Sequence, residues 1–237
     1  MLKRSDIIFS QGKENYPLIE RLTPGKPVFY YPNFVMEDFC PTEFPEKPTE
    51  RVNIMYFGRV SKTKNVEVVV DAFVKVAAKH NNIILDIVGN TPEPEYAEMI
   101  RQRIADSGYA DRVKMHPACN HDQLKEHLKD KHIYLFPTSE PHEGHSNAMT
   151  EAMAWGLIPI ATAQGFNRSV VNDDTLIVES LTVDAFAACI ERVIQSGKME
   201  EYSHTAYQRV IDNYSVDMVY RSLKGEYDRL FKLWFNS

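Results

Sequence analysis

From Val52 onward, short apolar runs alternate with amphipathic stretches, and this alternation narrows the possible folds more than any other feature of the chain. Residues 52–58 (VNIMYFG) read as a buried strand closed by a glycine. Residues 65–80 (NVEVVVDAFVKVAAKH) read as a helix, with Val68, Ala72, Val76 and Lys79 on the helical period. A second strand over 83–89 also ends in glycine, and a helix over 96–107 is stopped by Gly108. Strands at 113–116, 133–136 and 158–162 continue the series, with helices at 121–129 and near 147–155 between them. Such alternation with short connections implies parallel strands joined by right-handed crossovers. The expected fold class is therefore α/β, an open parallel sheet with helices on both faces.

The flanks read differently. Residues 1–50 hold one good strand, at 28–31, and a proline-rich stretch from Pro41 to Pro48 that reads as an extended linker. Residues 183–237 are almost all helical, with Tyr207, Tyr214, Tyr220, Tyr227, Phe231 and Trp234 near heptad spacing, a stripe that suits core or a packing surface. The net charge of −6 offers no basic surplus for nucleic acid, so no nucleic-acid partner is expected. Ile7-Ile8-Phe9 is too short for a signal segment, and no run of about 18 apolar residues could span a membrane. Peripheral membrane attachment stays open. Cys40, Cys119 and Cys189 are odd in number and far apart, which fits a reducing compartment better than a disulfide framework.

In an open parallel sheet, ligands bind beyond the carboxyl ends of the strands, so the residues just after each strand are where chemistry is sought. Gly58-Arg59-Val60-Ser61-Lys62-Thr63-Lys64 falls short of a phosphate-binding loop: Thr63 replaces the second glycine, and Asn65 the magnesium-binding hydroxyl. Read blandly it is a solvated basic turn. Read for function, Arg59 and Lys64 are cations reaching toward a phosphate. Gly89-Asn90-Thr91 lacks the dinucleotide fingerprint and is weak evidence of a ligand.

The segment from Glu140 to Gly156 carries more. It follows a strand and runs into a helix for which Ser146 or Asn147 is a natural cap. Amides from Gly144 through His145 and Ser146 to Asn147 would then face outward at a positive helix end, suited to a diphosphate. Glu143 precedes that helix and Glu151 lies inside it, so two carboxylates flank the anion site at different depths, placed for a polyol. Each acid alone could be an ordinary loop or helix charge. A metal reading of the histidines fails, because His142 and His145 lack the spacing of a helical zinc pair. Glu93-Pro94-Glu95 reads as a helix start.

Gly58-Arg59 with Lys64, then Glu143-Gly144, then Glu151-Ala152-Met153-Ala154-x-Gly156-x-x-Pro159 resemble the retaining glycosyltransferases of family four, called group 1, over roughly residues 50–200. The resemblance implies a GT-B fold of two facing Rossmann-like domains, this chain carrying the C-terminal, donor-binding one. On that reading residues 1–50 are the end of the N-terminal domain and a linker, 51–212 the nucleotide-sugar-binding domain, and 213–237 a crossover helix. Arg59 and Lys64, with the amides of Gly144, His145, Ser146 and Asn147, would hold the donor diphosphate. Glu143, the implied catalytic-position residue, would bond the donor sugar, and Glu151 the ribose. No metal and no cofactor is implied, the nucleotide-sugar being a substrate.

The implied partners are a saccharide or lipid-linked acceptor and an N-terminal domain whose first ~150 residues the chain lacks, on an expected domain size of 100–200 residues. The implied setting is bacterial surface polysaccharide or glycoconjugate synthesis in the cytoplasm, at the inner face of the membrane. His145-Ser146 replaces the Phe-Gly common after Glu-Gly, Gln164-Gly165 stands where a glycine pair is frequent, and Asn65 stands where glycine is usual. A non-catalytic nucleotide-sugar module, half of a split enzyme, and a GT-B nucleotide-sugar epimerase are the alternatives.

Overall fold

A computed structural model describes residues 4–140 and 142–235, without the side chains of 233–235. Met1, Leu2, Lys3, Pro141 and the Trp234 ring of the aromatic stripe lie outside the described residues. The described chain opens with a βαβ unit: β1 (Ile8–Ser10), α1 (Tyr16–Leu22) and β2 (Val28–Tyr30), with Ile8 paired in parallel to Val28. Sequence patterning expects one strand here, because three apolar residues are too few to signal a second. β1 exists through its partner: Phe9 packs edge-on against Phe29 at 5.7 Å and Tyr31 at 5.9 Å.

The main body is a parallel six-stranded sheet in the order β5-β4-β3-β6-β7-β8. Its strands are β3 (Val52–Phe57), β4 (Ile83–Val88), β5 (Val113–His116), β6 (Ile133–Phe136), β7 (Ile158–Thr162) and β8 (Ile177–Val178). The helices are α2 (Val66–Ala77), α3 (Pro94–Asp106), α4 (His121–Leu128), α5 (Asn147–Ala154), α6 (Asn167–Val171), α7 (Val183–Gln195), α8 (Met199–Asn213) and α9 (Val216–Phe235). The short α6 and β8 had no clear period of their own. Near-continuous apolar strands such as Ile133-Tyr134-Leu135-Phe136 are buried on both faces, as a helix-covered parallel sheet requires. α2 packs with α3 and α7, and α5 with α8.

The chain builds β3, β4 and β5 outward in one direction, then returns to lay β6 on the other side of β3. That reversal opens a crevice between the carboxyl ends of β3 and β6. Beneath α4 runs a partly buried polar track: Lys131 Nζ lies 3.1 Å from Asp86 and 2.6 Å from Asp130, and His116 Nε2 lies 2.7 Å from Asp86. The proline-rich stretch has no regular structure but is anchored. Lys47 Nζ donates to the carbonyls of Leu128 (3.3 Å) and Lys129 (3.2 Å) at the end of α4, and of Trp155 (2.8 Å) at the end of α5. An amine donor at two helix carboxyl ends satisfies otherwise orphaned carbonyls, while burial lowers the Lys47 pKa to about 7. Within the aromatic stripe, Tyr214 is buried while Tyr220 and Tyr227 are exposed. Among the described residues no helix is long and apolar enough to cross a membrane.

Candidate functional site

Lys64 ends a short 3-10 turn (Lys62–Lys64) after β3 and is buried. Its Nζ lies 2.5 Å from Glu143 Oε2 and 3.4 Å from Thr138 Oγ1, and 5.1 Å over the Phe136 ring. Thr138 Oγ1 in turn donates to Glu143 Oε2 at 2.7 Å. The cation after β3 and the carboxylate after β6 therefore meet directly in the crevice.

The next residue holds that meeting in place. Asn65 has φ 48°, the left-handed conformation that glycine or asparagine adopts most easily. Its Nδ2 donates to the carbonyl of Pro137 at 2.7 Å and to Ser139 Oγ at 3.0 Å, and the Ser139 amide donates to Thr63 O at 2.9 Å. Where the resembled family usually has glycine, asparagine satisfies the same backbone demand and also ties the two loops together. From the other side, a Cβ on Gly165 would lie 1.9 Å from the Glu143 carbonyl oxygen, so the loop after β7 presses closely on the Glu143 loop. Gly165 also has φ 55°, where glycine is favoured, and the 1.9 Å approach leaves room for no side chain.

Ser146 is the N-cap of α5, its Oγ accepting from the Met149 amide at 3.3 Å. Among the described residues, no hydrogen bond engages the amides of Gly144, His145 or Ser146. The amide of Asn147, at the first helical position, has no intrahelical acceptor by construction. The His145 ring does not line the crevice. It is buried edge-on against Tyr214, with 4.7 Å between ring centroids, and both ring nitrogens lack partners. Burial, with Arg209 nearby, lowers its pKa to about 4, so the ring is neutral. His145 can then serve the crevice only through its backbone.

Glu151 sits one turn further into α5, its side chain largely buried and its Oε1 3.7 Å from His121 Nε2. Burial raises its pKa, and His121 pulls it back. Tyr134 is buried between the two carboxylates. Its hydroxyl donates to Phe57 O at 3.0 Å, and its pKa is raised by burial first, then by Tyr56, Glu143 and Glu151. Arg59 is exposed after Gly58 and, among the described residues, forms no ion pair. A cleft of about 610 Å³ lined by Lys47, Val52, His132 and Ile158 opens at the amino ends of the strands, away from these groups. Its buried nitrogens are occupied: His132 bonds the Asn53 amide at 3.0 Å and Pro48 O at 2.9 Å.

Sequence reasoning missed Thr138, Gln11 and Asn33. Thr138 was discoverable, being a hydroxyl two residues past a strand. The other two carry no local signal. Asn33 Nδ2 donates to the His145 carbonyl at 2.7 Å across 112 positions.

The model of the family Glycosyl transferases group 1 matches residues 42–209. The phosphatidylinositol N-acetylglucosaminyltransferase gpi3 subunit of Schizosaccharomyces pombe is 29% identical over 155 residues, 65% of this chain and 32% of that protein. The capsular polysaccharide biosynthesis glycosyltransferase CapM of Staphylococcus aureus is 27% identical over 190 residues, 76% of this chain and 46% of that protein. The chain thus spans a third to a half of the length of these relatives. The structure of HepE from Anabaena in complex with UDP superposes with a TM-score of 0.80 at 13% identity, covering 95% of this chain and 64% of that one. The fold is that of one Rossmann-like half of a GT-B glycosyltransferase.

Proposed function

The chain belongs to the group 1 glycosyl transferases, and from that premise we propose that it is the donor-binding, C-terminal half of a retaining, metal-independent hexosyltransferase of surface polysaccharide or glycoconjugate synthesis. The contact between Lys64 and Glu143 carries the reading. A nucleotide-sugar joins a polyanion to a polyol at one anomeric bond, and a cation touching a carboxylate matches that junction.

Lys64 takes the phosphate next to the sugar, Glu143 accepts from sugar hydroxyls, and Glu151 accepts from the ribose. When the anomeric C–O bond breaks, its electron pair stays on the departing diphosphate. Lys64, the exposed Arg59 and the amides from Gly144 to Asn147 stabilise that charge, since donors fixed before the reaction need no reorganisation during it. Retention requires the acceptor hydroxyl, from a saccharide or lipid-linked sugar, on the face the diphosphate leaves, a matter of positioning. This assigns the protein to the cytoplasm, at the membrane face when the acceptor is lipid-linked.

Calorimetric titration with UDP, GDP and their hexose conjugates tests the reading. Binding that persists in EDTA is expected. No binding of any of them, or binding abolished by EDTA, overturns it.

A further inference from the structure

The segment from Gln11 to Asn33 reaches the crevice through two side-chain amides whose orientation the structure settles. A backbone carbonyl only accepts, so the Asn33 group 2.7 Å from His145 O is the donating Nδ2. Asn33 Oδ1 therefore faces Gln11, and Gln11 must offer Nε2 to it, at 2.7 Å. Gln11 Oε1 is left as the outward acceptor. It lies beside the Glu143 loop: a Cβ on Gly144 would be 3.1 Å from it. The neighbouring backbone is fixed too, because Gly12 lies flat on Phe166, where a Cβ would come within 2.2 Å of the ring. Among the described residues, Gln11 Oε1 has no hydrogen-bond partner, and Gln11 is exposed.

We propose that Gln11 is a specificity-determining residue whose Oε1, aimed by Asn33, accepts from a hydroxyl of the hexose on the nucleotide donor. The assignment rests on the donor reading above. Gln11 leaves the diphosphate alone although it borders Gly144, since its free Oε1 is an acceptor, as the phosphate oxygens are, and it leaves the ribose to Glu151 on α5. Asn33 is a positioning residue. It holds the Gln11 amide in one orientation and the His145 carbonyl in place, and so links the segment containing β1 and β2 to the loop carrying Glu143.

The test titrates the 237-residue chain with UDP, UDP-glucose, UDP-N-acetylglucosamine, GDP and GDP-mannose. Gln11→Ala should leave nucleoside-diphosphate affinity within about twofold and weaken the tightest sugar nucleotide about five- to thirtyfold, the cost of an unmade hydrogen bond. Asn33→Asp, which replaces the donor with a second acceptor facing a carbonyl, should weaken the sugar nucleotide at least as much and the nucleoside diphosphate with it, because the repelled His145 carbonyl lies in the loop whose amides hold the diphosphate. It should also speed amide hydrogen exchange over residues 144–147 in the free chain, without speeding it in β4. Equal weakening of nucleotide and sugar nucleotide by Gln11→Ala, or none, overturns the assignment of Gln11. Unchanged exchange in Asn33→Asp overturns the positioning role. A wild-type chain that binds no sugar nucleotide overturns the donor reading and this assignment together.

Discussion

Lys64 Nζ lies 2.5 Å from Glu143 Oε2 although the residues are 79 positions apart. The two main charges of the crevice thus neutralise each other before any ligand arrives. On the proposed donor reading, an entering phosphate would take the ammonium from the carboxylate and free the carboxylate for a sugar hydroxyl. Binding would then be an exchange of partners, which limits the cost of holding either charge out of water.

Lys64→Ala should lower nucleoside-diphosphate affinity about 10–150-fold with EDTA present, the range for one charge-assisted contact. Titration of wild type and variant side by side checks this. Equal affinities would remove Lys64 from the phosphate site.

The two carboxylates should separate by ligand. Glu151→Ala weakens nucleotide and sugar nucleotide alike. Glu143→Ala weakens only the sugar-bearing ligand, and it leaves nucleotide affinity unchanged or higher, because the Lys64 ammonium loses its competing partner. Parallel losses in Glu143→Ala would contradict the assigned roles.

Asn65→Ala and Asn65→Gly distinguish backbone strain from loop stitching. Both lose the bonds to Pro137 and Ser139, but only alanine is strained at φ 48°. Alanine should cost about 1 kcal/mol more than glycine in urea unfolding. Equal costs would mean that the side-chain bonds dominate.

The His145 ring predicts an acid-sensitive fold. Its folded pKa of about 4, lowered by burial and then by Arg209, lies below the ordinary 6.5, so protons bind preferentially to the unfolded chain. The stabilisation is whole above pH 6.5 and is lost as pH falls toward 4, amounting to roughly 2–4 kcal/mol. His145→Phe keeps the packing on Tyr214 and should flatten this part of the pH–stability curve. A variant with the wild-type slope would assign the acid sensitivity to other groups.

Beneath α4, Asp86 is held by both Lys131 and His116. Asp86→Ala removes a buried partner from each and should cost about 3–5 kcal/mol in chemical denaturation. Asp86→Leu combined with Lys131→Met should recover much of that loss. A single variant as stable as wild type would show that the track contributes little.

Neighbouring residues dictated the strand and helix order from Val52 to Thr162, a cap at Ser146 or Asn147 and the stop at Gly108, because periodicity, capping and turn chemistry are local properties. The sequence also marked Lys64 and Glu143 as residues following strands, and Glu151, inside the next helix, as the second carboxylate of the same site. Tertiary structure alone decided that Lys64 and Glu143 touch, since that depends on β6 returning beside β3, a choice no local pattern encodes. It turned His145 inward against Tyr214, stitched Asn65 to Pro137 and Ser139, and brought Asn33 to the His145 carbonyl. β1, too short to announce itself, formed because β2 lay alongside. Local preference acts over a few residues, whereas the crevice was made by contacts spanning 72 to 112 positions.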